Sequence, residues 1–286
     1  MKRTLIVTDS TSDIPPELAR ELGIEVVPLK LMFGEESFRD GVDMTPEQFY
    51  DRLPRSPQLP TTSQPSPVEY MDVYRSILAK HPGSSILSFH ISSGLSGTYQ
   101  SAVLAKSMLE EEGEQITVVD SLSASYGFGL LVVQAARWAE EGKPPEEILE
   151  AVERLRRSRK LYFLVDTLEY LQKGGRIGKA SAILGTLLNI KPILSIDEEG
   201  IIYAVEKVRG RKKAVARMIE LFKADLPGVD HINVAVGHTA EPAAGEEFLK
   251  ELAGHFSLNE QVLTNVGPVV GSHVGNGTLA VFIWPA

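Results

Sequence analysis

The chain has 286 residues, 43% of them hydrophobic and 23% charged, a balance that excludes wholesale disorder and is large enough to bury its own core. Its net charge of −9 argues against general nucleic-acid binding, which needs a broad basic face. With no cysteine, the sequence also excludes disulfides, zinc–thiolate sites, iron–sulfur clusters and thiol nucleophiles.

The chain opens on Met1-Lys2-Arg3-Thr4-Leu5-Ile6-Val7, basic and then briefly apolar, with Asp9 and Asp13 close behind. That apolar run is too short for a signal peptide, and no stretch approaches the roughly 18 to 20 apolar residues of a membrane span. The expectation is a cytoplasmic protein with no integral membrane association. Short apolar runs at residues 5–7, 24–29, 85–90, 116–119 and 161–165 read as strands. They alternate with helical patterns at 68–80, 97–109, 123–141 and 145–157, which predicts a mainly parallel sheet. Helix starts are marked at Asp13 with Pro15-Pro16, at Thr45-Pro46 and at Ser66-Pro67, because proline suits the first helical turn.

From about residue 160 the pattern changes. Residues 192–196 and 201–205 flank the acidic turn Asp197-Glu198-Glu199-Gly200 and read as a hairpin. Helices are predicted at 211–224 and 242–253, and strands at 232–237, 261–265 and 278–284. The expected fold class is α/β with two domains. Residues 1–160 form a mainly parallel α/β/α domain, and 161–286 an α+β domain with a mixed or antiparallel sheet.

Several segments carry candidate chemistry. Pro60-Thr61-Thr62-Ser63-Gln64-Pro65-Ser66-Pro67 reads as a proline-stiffened loop whose hydroxyls suit an oxyanion, with Ser66 capping the next helix. Ser92-Ser93-Gly94-Leu95-Ser96-Gly97-Thr98 follows a strand and precedes a helix, where backbone N–H groups favour an anion. A serine esterase or acyltransferase using Ser93 or Ser96 is the alternative, although Thr98 breaks the nucleophile-elbow pattern and no spacing specifies a catalytic base. The Asp-Ser pairs at Asp9-Ser10 and Asp120-Ser121 end two strands and suit either a ligand or capping.

Lys173-Gly174-Gly175-Arg176-Ile177-Gly178-Lys179-Ala180 fails the phosphate-loop pattern at both Lys173 and Ala180. Its glycines read as a turn, with the basic residues as surface charge or a partner contact. Glu206-Lys207-Val208-Arg209-Gly210-Arg211-Lys212-Lys213 is a solvated corner or a docking patch for an acidic partner. His273, in Gly267-Pro268-Val269-Val270-Gly271-Ser272-His273-Val274-Gly275-Asn276-Gly277-Thr278, is poorly explained as core and could serve a carboxylate. The six histidines show no metal-ligand spacing, so no metal is expected.

Thr62-Ser63-Gln64-Pro65-Ser66, the Ser92-to-Tyr99 segment, Val119-Asp120-Ser121, Lys173-Gly174-Gly175-Arg176, Lys207-Val208-Arg209-Gly210 and Gly271-Ser272-His273-Val274-Gly275 occur in one order along nearly the whole chain. Together they resemble the DegV family of bacterial fatty-acid-binding proteins, with Asn276 standing where that family is expected to have proline. The resemblance implies an acyl chain, such as palmitate or another C14 to C18 acid, in a tunnel of the N-terminal domain. It implies a carboxylate held by Thr62 and Ser93, with Ser63 and Gly94 as backbone neighbours and His273 approaching from the second domain. It further implies a non-enzymatic acyl carrier for a separate ATP-dependent fatty acid kinase, docking through Arg209, Arg211 and Lys212. For that role hydroxyls and backbone amides, rather than an arginine clamp, are the expected carboxylate ligands, because over-stabilising the ground state opposes phosphoryl transfer.

Overall fold

The computed structural model describes residues 3–185 and 190–286; Met1 and Lys2 of the opening run lie outside them. The first sheet holds four parallel strands in the order β2-β1-β6-β7: β1 Thr4–Asp9, β2 Glu25–Val27, β6 Ser85–His90 and β7 Ile116–Asp120. Successive residues of the two central strands, β1 and β6, are buried on opposite faces, which is why they read as apolar runs. Val7 and Ile86 pack on one face with helices α3 Pro67–Lys80 and α4 Thr98–Met108. Ile6, Leu87 and Phe89 pack on the other with α5 Tyr126–Glu140.

The second sheet has six strands in the order β10-β9-β8-β13-β11-β12: β8 Lys160–Leu164, β9 Ile190–Ile196, β10 Ile202–Arg209, β11 His231–His238, β12 Ser257–Asn265 and β13 Leu279–Pro285. Only β11 and β12 run parallel; the other neighbours are antiparallel. The expected 192–205 hairpin is β9–β10. One face of this sheet carries α8 Arg211–Asp225 and α9 Pro242–Leu252. The other face, with Leu161, Phe163, Leu194, Ala280 and Phe282, turns toward α5. Helix α5 is buried on all sides over residues 126–133, as a helical stretch apolar all round must be, and lies between the two sheets.

Two parts of the fold depart from the sequence reading. Residues 61–63 are a strand rather than a loop. β5 Thr61–Ser63 completes a small antiparallel sheet, β4-β3-β5, with β3 Lys30–Phe33 and β4 Glu36–Arg39. The glycine-rich stretch after residue 267 is a helix, α10 Pro268–Val274, packed on α2 Pro46–Arg52, α7 Glu169–Lys173 and the small sheet. Asp13 does not cap α1 Pro16–Glu21; it is buried in a left-handed turn (φ 50°) and accepts a hydrogen bond from Ser125 Oγ. The start itself holds at Pro15-Pro16, and so do the other two: Thr45 and Ser66 each form a full capping box, with Gln48 and Glu69 as the returning partners. Among the described residues, no helix is long and apolar enough to cross a membrane.

Candidate functional site: an apolar cavity with a hydroxyl–imidazole mouth

An apolar cavity of about 860 Å³, counted out to its open end, lies between the inner face of the six-stranded sheet, the loops at the carboxyl ends of the parallel sheet, and α10. The sheet contributes Leu161, Phe163, Ile196, Ile202 and Phe282; the loops contribute Ile91, Leu95 and Ala124. Polar side chains gather at Thr62, Ser63, Gln64, Ser96, Arg176 and His273. Thr62, Arg176 and His273 also line an outer groove with Lys173 and Gly174, so they stand where the cavity meets that groove.

Pairing fixes these groups. Thr62 sits opposite Leu31 in the β3–β5 ladder, and His273 occupies the last turn of α10. Thr62 Oγ1 lies 3.0 Å from His273 Nε2. The imidazole's other nitrogen, Nδ1, is buried without a partner, pressed against Gly174, where an added Cβ would come within 2.2 Å. Burial and the nearby Arg176 guanidinium push the His273 pKa down to about 4, so the ring is neutral at neutral pH.

A neutral imidazole has one proton to place. Nδ1 has no partner in either tautomer, and a bare lone pair there is less unfavourable than an unpaired N–H donor, whose burial costs about 1–3 kcal/mol. We therefore assign the Nε2–H tautomer, which donates to Thr62 Oγ1 and leaves the threonine O–H free to donate into the cavity. Such a donor suits an acceptor-only group such as a carboxylate.

Arg176, expected as surface charge or a partner contact, is half-buried and lines both the cavity and the outer groove. Its Nε donates to Leu95 O at 3.0 Å and its Nη1 to Gly174 O at 2.7 Å, and it makes no ion pair among the described residues. The clue in the sequence was its place between Gly174-Gly175 and Gly178, which lets the chain fold close enough to bring the arginine inward. Ser96, weighed only as a nucleophile, is also on the cavity wall, with its hydroxyl 2.8 Å from Thr98 Oγ1.

The structure brings Thr62, Ser63 and His273 together on the wall, but not Ser93 and Gly94. The Ser93 amide donates to Asp120 Oδ1 and Oδ2 at 3.2 and 3.3 Å, and the Gly94 amide to Ser92 Oγ at 3.1 Å. These bonds hold the turn that delivers Leu95 and Ser96. Asp9 and Asp120 likewise act on backbone, accepting from the amides of Thr11 and Leu122 at 3.0 Å each.

Neither Ser93 nor Ser96 is hydrogen-bonded to a histidine. An Asp–His–Ser chain does exist elsewhere: Asp9 Oδ2 to His90 Nδ1 at 3.1 Å and His90 Nε2 to Ser88 Oγ at 2.8 Å. All three side chains are 0% exposed, and Tyr74 Oη donates to Ser88 Oγ at 2.8 Å. A nucleophile sealed in this way meets no substrate, so the chain ties the core together.

Of the basic run, Arg209 and Lys212 are exposed and enter no ion pair among the described residues, whereas Arg211 donates to Asp166 Oδ1 at 3.1 Å and to Gly277 O. Gly277 follows α10 closely, which puts this run at the same end of the six-stranded sheet as His273.

Comparison with known proteins agrees with this architecture. A DegV domain-containing protein of Caldanaerobacter subterraneus subsp. tengcongensis is 39% identical over 289 residues, covering 99% of each chain. The solved structure of a Thermus thermophilus DegV family protein, described for its fatty acid binding, is 39% identical with a TM-score of 0.92 over 99% of this chain and 100% of that one. A stearic acid-binding protein from Eubacterium ventriosum is 31% identical with a TM-score of 0.90 over 100% and 98%. A family model described as "Uncharacterised protein, DegV family" matches residues 3–286, and the chain belongs to that family.

Proposed function

We propose that this protein binds a long-chain fatty acid, of the C14 to C18 class, with the acyl chain in the apolar cavity and the carboxylate at the Thr62–His273 mouth. The observation that carries the reading is the Thr62–His273 hydroxyl–imidazole pair, 3.0 Å apart, on the wall of an apolar cavity. Burying about 14 methylenes at about 0.8 kcal/mol each contributes on the order of 11 kcal/mol gross. Lost ligand freedom and chain ordering offset much of it. The remainder supports binding without a charge pair. Ser63 and Ser96 line the same cavity as Thr62, and Arg176 adds a positive charge that is paired with no carboxylate among the described residues. Ser93 and Gly94 serve by holding the turn that carries Ser96. The solved relatives from Thermus thermophilus and Eubacterium ventriosum, described as fatty-acid- and stearic-acid-binding, support the ligand class.

The protein's role, on this reading, is a cytoplasmic acyl carrier rather than an enzyme acting alone. A separate ATP-dependent kinase reaches the carboxylate through the outer groove. A carboxylate oxygen attacks the γ-phosphorus, ADP leaves, and an acyl phosphate remains. Arg209 and Lys212, exposed and outside the ion pairs of the described residues, are cations for docking that kinase, with Arg211 anchoring the corner they stand on.

Denaturing the purified protein, extracting it and analysing the extract by mass spectrometry should recover near-stoichiometric C14 to C18 acid. An empty extract, followed by failure of the protein to bind added palmitate or oleate, would remove the proposal. For the carrier role, Arg209→Glu with Lys212→Glu should lower acyl-phosphate formation by a fatty acid kinase at least tenfold and leave palmitate affinity unchanged. An unchanged rate would dismiss this docking surface.

A further inference from the structure

Leu161 and Ile196 belong to two walls at once. Both line the apolar cavity, and both line a polar groove on its far side together with Arg156, Arg157, Arg159 and Lys160. The sheet register shows where this partition stands. β8 and β13 pair Leu164 with Leu279 and Leu161 with Phe282, while Phe163 pairs with Leu194 in β9. Two further steps along that antiparallel pair bring Leu161 beside Ile196. Val274 and Thr278, close to the mouth, precede the Leu279 end. Leu161 and Phe282 are therefore three residues, about 10 Å, farther down the sheet.

Beyond the partition the surroundings change. Arg159 lies two residues before Leu161 and so projects to the same face of the sheet. Its Nη1 is buried without a hydrogen-bond partner, and no ion pair among the described residues includes it. Arg156 and Arg157 are both engaged by Glu153, at 2.7 and 2.6 Å. An apolar chain end that passed the partition would meet an under-solvated guanidinium, where hydrocarbon cannot supply the acceptor it lacks. The opposite flank of the cavity, at Leu29 and Ser125, leads instead to packed core. There Ser125 Oγ donates to the buried Asp13, and Leu29 O accepts from the amide of Asp40.

We infer that Leu161 and Ile196 form the stop that sets the longest acyl chain this protein accepts. The inference rests on the fatty-acid reading and adds to it the residues that select the ligand's length. While carbons fit inside the wall, each added methylene strengthens binding about fourfold. Once the chain end touches Leu161 and Ile196, a further methylene must displace packed side chains, and the gain reverses.

The test uses the delipidated full chain, offered an equimolar series of saturated acids from C14 to C22, with bound acids extracted and quantified. Leu161→Ala and Ile196→Ala should move the preferred length up by two or more carbons. The ratio of C20 to C16 bound should rise at least tenfold, with occupancy near one acid per chain. Ile196→Phe should move the preference down, and it keeps the test decisive if an alanine variant folds poorly. An unchanged length distribution at full occupancy in Ile196→Ala and Ile196→Phe would overturn the inference while leaving fatty-acid binding intact. No acid bound by the unaltered protein would overturn the binding reading itself, and this inference with it.

Discussion

The Thr62–His273 pair depends on a histidine kept neutral. Its depressed pKa means that the folded protein binds the imidazole proton more weakly than the unfolded chain does. The stability tied to His273 is thus fully present above about 6.5, the ordinary histidine value, and is lost as the pH falls toward about 4. At neutral pH the ring stays a single donor, and Thr62 stays an outward donor. Replacing Thr62 by valine keeps the shape and removes the hydroxyl. A hydrogen bond to a charged group contributes about 1.5–3 kcal/mol, so palmitate affinity should fall roughly tenfold to a hundredfold by titration calorimetry. Equal affinity for Thr62→Val would move the carboxylate away from this mouth. The sequence exposed these two residues unequally. Thr62 stands in a conspicuous hydroxyl run, and His273 among glycines, but nothing in their spacing of 211 positions announces contact. Their pairing came only through the family resemblance. Arg176 was hidden because a surface turn and a turn folded inward use the same glycines.

Among the elements, the long ones were legible and the short ones were not. The strands of the parallel sheet are continuous apolar runs, and α2 and α3 begin with capping boxes, so local sequence and tertiary structure agree. Helix α10 has no such support. Its seven residues include a glycine and three valines, poor helix formers, so its own propensity would leave it a loop. Packing makes it a helix: Gly271 lies against α2 so closely that an added Cβ would stand 2.4 Å from Tyr50 Oη and 2.8 Å from the Phe49 ring. Tyr50 Oη also donates to Val266 O at 2.8 Å, anchoring the chain just before the helix. Gly271→Ala must therefore push α10 off α2 and carry His273 away from Thr62. Overpacking of this kind costs about 1–3 kcal/mol, so a lower thermal midpoint should accompany weaker palmitate binding. Lost stability with affinity retained would mean that the mouth does not depend on the seating of α10. The β3–β4–β5 sheet was missed for a related reason: strands of three and four residues carry too little periodicity to stand out from loop.

For the molecule as a whole, the division into 1–160 and 161–286 remains a proposal about separable domains. The main core nevertheless runs through both halves, from Leu87 and Phe128 to Phe163 and Phe282. A buried carboxyl pair ties the same junction. Asp40 accepts from Ser10 Oγ at 2.7 Å and from the Val269 amide; Asp13 accepts from Ser125 Oγ and, at 2.9 Å, from the Gly267 amide. Burial above all, with the charges of Asp40 and Asp9 near Asp13 and that of Asp9 near Asp40, raises the Asp13 pKa well above the usual carboxylate range and the Asp40 pKa to about 6. Because the folded state holds the Asp40 proton to a higher pH than the unfolded chain does, raising the pH costs stability. The cost begins near the unfolded value of about 4, grows to about 6, and is constant above. Two pH units at 1.36 kcal/mol each make it about 3 kcal/mol. Asp40→Asn cannot titrate, yet its amide can donate to Ser10 Oγ while its carbonyl accepts from Val269. The stability of Asp40→Asn relative to the unaltered protein should therefore climb by about 2–3 kcal/mol between pH 4 and pH 7. Urea unfolding at one-unit pH intervals measures that difference directly. A flat difference would mean that Asp40 ionises as easily in the folded protein as in the unfolded chain, and that it holds no proton at the junction.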